Sequence, residues 1–374
     1  IRALVKRQDF SLCYDAMSGV NGPYAKAVLV DLLGCPPSSL QNCDPLPDFG
    51  GAASPSHGHA DPNLKNAVEL CQKMKVGPTG DALPGSESAP SFGAAADGDG
   101  DRNMIMGPGF FVTPSDSLAI IVDQAAQGRI PQFAKGVGGA ARSMPTSGAL
   151  DLVCERRKIP LFETPTGWKF FGNLMDSGKY SPFVCGEESF GTGSDHVREK
   201  DGMWAVLAWL QILAVLNADA FKPLVTANDV VRAHWASYGR NYYARHDFEG
   251  VDTAKANEVM STMIAQEGKW ASDAFSPFQL KSQDVFSYLD PVDGSTTGNQ
   301  GVRFFLVGGS RIIFRLSGTG VSGATIRVYL EQYEPPTGDL TRNAISVVEP
   351  LGAVAARISS MAAITGRTSP SVIT

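Results

Sequence analysis

The hydrophobic pattern of this chain changes period once, and that change limits the folds open to it. Up to about residue 232, short apolar runs alternate with stretches of helical spacing, as in strands joined through helices. Ser115-Asp116-Ser117 signals a helix over 118–127, closed by Gly128. Asp61-Pro62-Asn63-Leu64 predicts a second start, with Asp61 as cap and Pro62 at the first helical position; Leu64, Ala67, Val68, Cys71 and Met74 then share one face. Phe92–Ala96 reads as a short strand ending at Asp97. From about residue 233 the runs become β-branched and aromatic (Val302–Leu306, 311–316, 325–330) with Gly-rich turns between them, which predicts antiparallel strands. The expected fold is therefore α/β, with two mixed α/β domains at 1–113 and 114–232. An α+β antiparallel C-terminal domain follows at 233–374. Two Gly/Pro/Ser-rich stretches, 50–60 and 76–91, read as surface loops.

Composition narrows the functional classes. Of 374 residues, 43% are hydrophobic and 19% charged, enough for several cores and unlike a disordered or fibrous chain. A net charge of -6 gives no basic field for nucleic acid or an acidic membrane surface. The apolar run 203–216 is too short to cross a bilayer and predicts a buried helix, with Trp204, Leu207 and Trp209 in the core. The six cysteines form no Cys-x-x-Cys pair, which predicts reduced thiols, no zinc and a cytoplasmic location.

Three segments carry chemistry. In Asp97-Gly98-Asp99-Gly100-Asp101-Arg102, carboxylates at spacing two face one side if the strand before them continues, and the glycines let the backbone bend around an ion. All-oxygen ligands select Mg²⁺ or Ca²⁺. An EF-hand loop is excluded, since its sixth and twelfth positions would be Arg102 and Pro108 rather than Gly and Glu. Arg315-Leu316-Ser317-Gly318-Thr319-Gly320 offers an arginine and then a loop of N–H and hydroxyl donors for an anion. A hairpin centred on Val321 would set Arg315 and Arg327 at equal distance from the turn and on one face, as a phosphate requires. The polar, Gly-bounded stretch from Cys185 through Gly191 to Gly202 suits sugar hydroxyls. Trp168, in Thr164-Pro165-Thr166-Gly167-Trp168, reads as packing. His196 reads as a hydrogen-bonded structural residue, and His57 and His59 as solvated.

In this order and spacing the motifs resemble the α-D-phosphohexomutase superfamily, and within it the eukaryotic-type phosphoglucomutases, parafusin-like proteins included. The stretch from Arg142 to Asp151, the stretch from Glu163 to Asp176 and the C-terminal Gly366-Arg367-Thr368 match as well. The resemblance implies Asp97, Asp99 and Asp101 as Mg²⁺ ligands and Arg102 beside the transferring phosphoryl. Asp101 and Arg102 would border the substrate. Thr166, Gly167, Glu187 and Ser189 would hold sugar hydroxyls, with Lys200 as a charged contact or proton-transfer partner. Arg315, Ser317, Gly318, Thr319 and Arg327 would grip the non-reacting phosphate. It further implies interconversion of glucose 1-phosphate and glucose 6-phosphate, with glucose 1,6-bisphosphate as intermediate and activator. The small-molecule partners are hexose phosphates, and a monomer is expected. The family's nucleophile is a phosphoserine in a Thr-Ala-Ser-His-Asn segment of its first domain. No such segment occurs here, and Ser56 in Pro55-Ser56-His57-Gly58-His59 lacks the setting. The chain thus reads as the last three of four domains, inactive alone. The alternative is a non-catalytic phosphosugar-binding or scaffold protein of the parafusin type.

Overall fold

The computed structural model describes residues 1–320 and 323–374, and divides them into two compact units, Ile1–Ser237 and Tyr238–Thr374. In the first unit, β1 (Leu12–Asp15), α1 (Asn21–Ala25), β2 (Leu40–Gln41), α2 (Val68–Met74), β3 (Phe92–Ala96), β4 (Asn103–Gly107) and β5 (Phe110–Val112) build a sheet of order β2-β1-β3-β4-β5. β1 is parallel to β2 and β3, whereas β3, β4 and β5 form an antiparallel meander. β3 is buried along its whole length, which suits its run of Phe, Gly and Ala.

α3 (Pro114–Ala126), β6 (Gly139–Ser143), α4 (Ala149–Arg157), β7 (Leu161–Thr164), α5 (Trp168–Asp176), β8 (Phe183–Gly186), β9 (Thr192–Ser194), α6 (Gly202–Leu216) and α7 (Ala227–Tyr238) complete this unit. Their sheet has order β7-β6-β8-β9, parallel except for β9. α6 is apolar almost all round and mostly buried, although Trp204 and Leu207, expected in the core, are half-buried and Val215 is exposed. It touches β3 and β4 of the first sheet and β9 of the second, so one buried helix joins both. Trp209 on α6 is fully buried, and its indole N–H donates to Ser117 Oγ at 2.8 Å.

Two helix starts differ from the sequence expectation. α3 begins at Pro114, with Thr113 as the cap accepting from the Asp116 N–H, because proline at the first helical position needs no N–H partner. α2 begins only at Val68: Asn63, not Asp61, accepts from the Lys65 and Asn66 N–H groups and holds 63–66 as a turn. Leu64, Ala67, Cys71 and Met74 still meet in one core cluster.

The second unit contains β10 (Arg240–Val251), α8 (Thr253–Ala265), β11 (Leu280–Val285), β12 (Tyr288–Leu289), β13 (Thr296–Thr297), β14 (Val302–Leu306), β15 (Arg311–Gly320), β16 (Gly323–Glu334), α9 (Ala344–Ser359), α10 (Met361–Thr365) and β17 (Val372–Ile373). Its main sheet, β11-β14-β15-β16-β10-β17, is antiparallel throughout. Period-two alternation sends Ile312, Phe314, Ile326, Val328 and Leu330 into the core with Val259, Leu351 and Val354 of α8 and α9. The intervening residues face the other side. The expected boundary at 232/233 falls inside α7, and the contact boundary comes at Ser237.

Candidate metal and sugar-phosphate site

β3 runs parallel to β1, which is in turn parallel to β2, and delivers Asp97 at its C-terminal end, the end at which such sheets place ligands. The three carboxylates do not continue the strand. The chain bends after Ala96, and Gly100 takes a left-handed φ of +80°, so the bend itself gathers Asp97, Asp99 and Asp101. A side chain at Gly100 would meet the Asn21 amide at 2.9 Å. One oxygen from each carboxylate lies within 4.8 Å of the others. Asp97 is buried and Asp99 exposed, and Asp101 Oδ1 is buried without a hydrogen-bond partner. An orphaned buried oxygen beside two further carboxylates is a donor set that fits a hard divalent cation.

Arg102 closes this loop. Its Nε donates to Asp97 Oδ2 at 2.7 Å, its N–H to Asp97 Oδ1 at 3.0 Å, and its other arm reaches Asp61 at 2.7 Å. Asp61 is thus the partner of Arg102 rather than a helix cap. Burial pushes the Asp97 carboxyl up to about 6, against the opposing pull of Arg102.

The Gly-bounded loop after β8 is bonded directly to the acidic loop. The Asn103 N–H and side-chain amide both donate to Phe190 O, at 2.9 and 3.1 Å, and Arg102 bridges Gly191. The Gly202 N–H donates to Gly100 O at 3.2 Å, and Lys200 Nζ lies 2.8 Å from Asp101 Oδ2. Burial works against the Lys200 ammonium, but its bond to Asp101 outweighs that and raises its pKa. Within the loop, Glu187 is buried and Ser189 half-buried. The Gly167 N–H donates to Glu187 Oε1 at 3.2 Å, and Thr166 Oγ1 is buried beside it without a partner. Asp97, Asp99, Asp101, Arg102, Lys200, Glu187, Gly167 and Thr166 therefore share one region of the first unit.

His196 is structural, as expected. Its ring lies 2.6 Å from Ser194 Oγ and 3.0 Å from Asp201 Oδ2, and stacks on Trp204. Trp168 packs edge-on against Phe171, and His57 and His59 are exposed.

In the second unit Arg315 pairs directly with Arg327, the register expected from a hairpin about Val321; the turn itself, Val321 and Ser322, lies outside the described residues. The anticipated loop is instead strand: Ser317 and Thr319 belong to β15, and the register slips between them at Gly318, whose φ is +62°. Two guanidinium groups directly opposite each other repel. Asp247 on β10, opposite Arg327 in turn, is buried 3.7 Å from it and 3.0 Å from Arg245. Two arginines share this one carboxylate and Arg315 faces one of them, which leaves positive charge for an anion. Sequence spacing carried no signal for Asp247 or Asp61, since the fold brings them to their arginines from segments far away in sequence.

An acidic loop at one α/β sheet edge, tied by its backbone to a polar loop at the next and followed by an antiparallel sheet with facing arginines, is a phosphohexomutase arrangement. Family models agree along the chain. Residues 2–109 match phosphoglucomutase/phosphomannomutase α/β/α domain II, 114–238 match domain III, and 240–371 match the phosphoglucomutase-1 C-terminal domain. The chain belongs to the phosphoglucomutase/phosphomannomutase family. It is 51% identical to cytoplasmic phosphoglucomutase 1 of Zea mays, over all of this chain and 64% of that protein. Against the chloroplastic phosphoglucomutase of Arabidopsis thaliana the figures are 53%, 100% and 58%. The crystal structure of Paramecium pp63/parafusin, described as a phosphoglucomutase and exocytosis-sensitive phosphoprotein, superposes with a TM-score of 0.86 at 49% identity, covering 100% of this chain and 61% of that one. The chain thus spans less than two thirds of these relatives' length.

Proposed function

We propose that this chain is the metal-, sugar- and phosphate-binding part of a cytoplasmic phosphoglucomutase that interconverts glucose 1-phosphate and glucose 6-phosphate. In this reading the three segments are 1–113, 114–232 and 233–374. The observation that carries it is the direct bonding of the acidic loop to the Gly-bounded loop, with Lys200 on Asp101. In this reading the two bonded loops supply metal ligands on one side and hydroxyl-binding groups on the other.

Asp97, Asp99 and Asp101 would hold Mg²⁺, which supplies charge neutralisation on the transferring phosphoryl. Arg102, fixed by Asp97 and Asp61, offers its remaining N–H donors to the same phosphoryl. Thr166, Gly167, Glu187 and Ser189 bind sugar hydroxyls, and Lys200 supplies a cation that can give a proton to a sugar oxygen. Arg315, Arg327 and the Ser317-Gly318-Thr319 backbone hold the phosphate that is not reacting. A phosphoserine from outside this chain donates to the sugar, and glucose 1,6-bisphosphate then returns its other phosphoryl. The facing arginines and the strand irregularity at Gly318 accept either end of that intermediate, because they read phosphate rather than the ring.

Calorimetry tests both halves. Asp99→Asn is expected to weaken Mg²⁺ binding with the melting temperature unchanged, and equal affinity removes the metal assignment. Arg315→Ala is expected to weaken glucose 6-phosphate binding about tenfold or more, since a charge-assisted hydrogen bond is worth roughly 1.5–3 kcal/mol. If the variant binds as the parent does, the phosphate site is misassigned.

A further inference from the structure

The stretch from Arg142 to Asp151 takes no part in the chemistry above, yet Ser143, Thr146 and Ser147 are at most 1% exposed. Buried hydroxyls persist only when bonded. Two of these three meet Glu188, which sits between Glu187 and Ser189 but turns into the protein, 8% exposed. Glu188 Oε2 lies 3.1 Å from Ser143 Oγ and 3.2 Å from Thr146 Oγ1, and the two hydroxyl oxygens are 2.7 Å apart. Thr146 Oγ1 also accepts the Glu188 N–H at 2.9 Å. Two hydroxyl protons cannot serve all three oxygen contacts at once. An arrangement with Ser143 donating to Glu188 and Thr146 to Ser143 satisfies every group.

Both the backbone and the side chain of residue 188 are therefore held, from a strand end next to its own: β6 ends at Ser143, and Arg142 pairs with Gly186 of β8. The holding stretch is itself braced. Arg142, 4% exposed, donates to Asp151 at 2.5 and 2.6 Å, to Glu163 at 2.8 Å, and to the Ser143 and Met144 carbonyls at 3.3 Å.

We propose that Glu188, clamped by Ser143 and Thr146, is a positioning residue that fixes the 187–191 loop so that Glu187 and Ser189 present their oxygens to a hexose. The proposal rests on the reading of that loop as sugar-binding. Glu188 and Ser189 lie in a turn that the Glu187 N–H closes on Gly191 O at 2.8 Å, so holding residue 188 by both its backbone and its side chain fixes where Glu187 and Ser189 sit on either side of it. The conformation of the loop is then set by a network that never touches the ligand.

The test uses the 374-residue chain and an isosteric pair. Thr146→Val removes the hydroxyl at constant shape, and Thr146→Ser keeps it. Amide hydrogen exchange at 187–191 should rise about tenfold in Thr146→Val, the loss of about one hydrogen bond's free energy, with exchange in α6 unchanged and Thr146→Ser like the parent. Glucose 6-phosphate affinity should fall about as much, with inorganic phosphate affinity untouched. Parent-like loop exchange in Thr146→Val overturns the clamp, and so does exchange that rises equally throughout the unit. If the parent chain binds no glucose 6-phosphate, the sugar reading fails, while the exchange result still decides the clamp.

Discussion

Lys200 reaches Asp101 because nothing stands above Gly191. A side chain there would meet Lys200 Cδ at 2.5 Å and Cγ at 3.1 Å, so the lysine stem lies in the space a Cβ would fill. Gly191→Ala is therefore expected to displace Lys200 and break its 2.8 Å contact with Asp101. Forcing one methyl into a packed site costs about 1–3 kcal/mol, so thermal unfolding should shift down by that order. A crystal structure of the variant with Lys200 still on Asp101 would contradict the argument. Residue identity was legible in the sequence where chemistry needs a rare pattern, as in the three aspartates. It was not legible where a common residue serves a rare one. Asp61 looked like a helix cap, because Asp-Pro is a common helix start, and only tertiary folding brings it to Arg102. Glu188 stood out only as one more polar residue of the Gly-bounded stretch, because spacing along a loop does not say which way a side chain turns.

Elements divide along the same line. The β15–β16 register followed from arithmetic about a turn, since antiparallel pairing preserves equal distance from it. The bend after β3 followed only in part: the strand end at Asp97 and glycines that permit bending were legible, but not that the bend itself gathers the three carboxylates. α7 was similarly opaque, as it runs through the boundary that the change in composition suggested. It also carries a titration with a definite sign. His234 is 6% exposed, and burial lowers its pKa to about 4, with Asp123 opposing that shift and Arg156 adding to it. An unfolded histidine titrates near 6.5, so between about 6.5 and about 4 the unfolded chain takes up a proton that the folded one refuses. Stability should be unaffected by this group above that window and fall as pH drops through it, by up to about 3 kcal/mol. Urea unfolding across pH 7 to 4 reads this directly. His234→Gln should flatten the decline by close to one proton, and an unchanged slope would contradict the assignment.

At the scale of the molecule, α6 makes one compact unit of two sheets that the sequence divided at 113/114. Its apolar sequence announced a buried helix but not that it is shared between two sheets. Sharing keeps the acidic loop and the Gly-bounded loop in fixed register, which the proposed phosphoryl transfer would need, since such catalysis rests on positioning and charge. What the 374 residues do not contain is a serine in a Ser-His-Asn setting. Arginines and a bound cation stabilise a phosphoryl in flight, but they cannot store it between two half-reactions. The most direct measurement is a coupled assay of glucose 6-phosphate formation from glucose 1-phosphate, with Mg²⁺ and glucose 1,6-bisphosphate present. It would compare this chain alone with the same chain carrying the N-terminal third of the maize relative before Ile1. The account predicts no turnover from the chain alone and Mg²⁺-dependent turnover from the extended form, abolished by Asp99→Asn. Turnover by the 374-residue chain, verified by intact mass and lost on Ser56→Ala, would contradict it, as would a folded extended form that makes no glucose 6-phosphate.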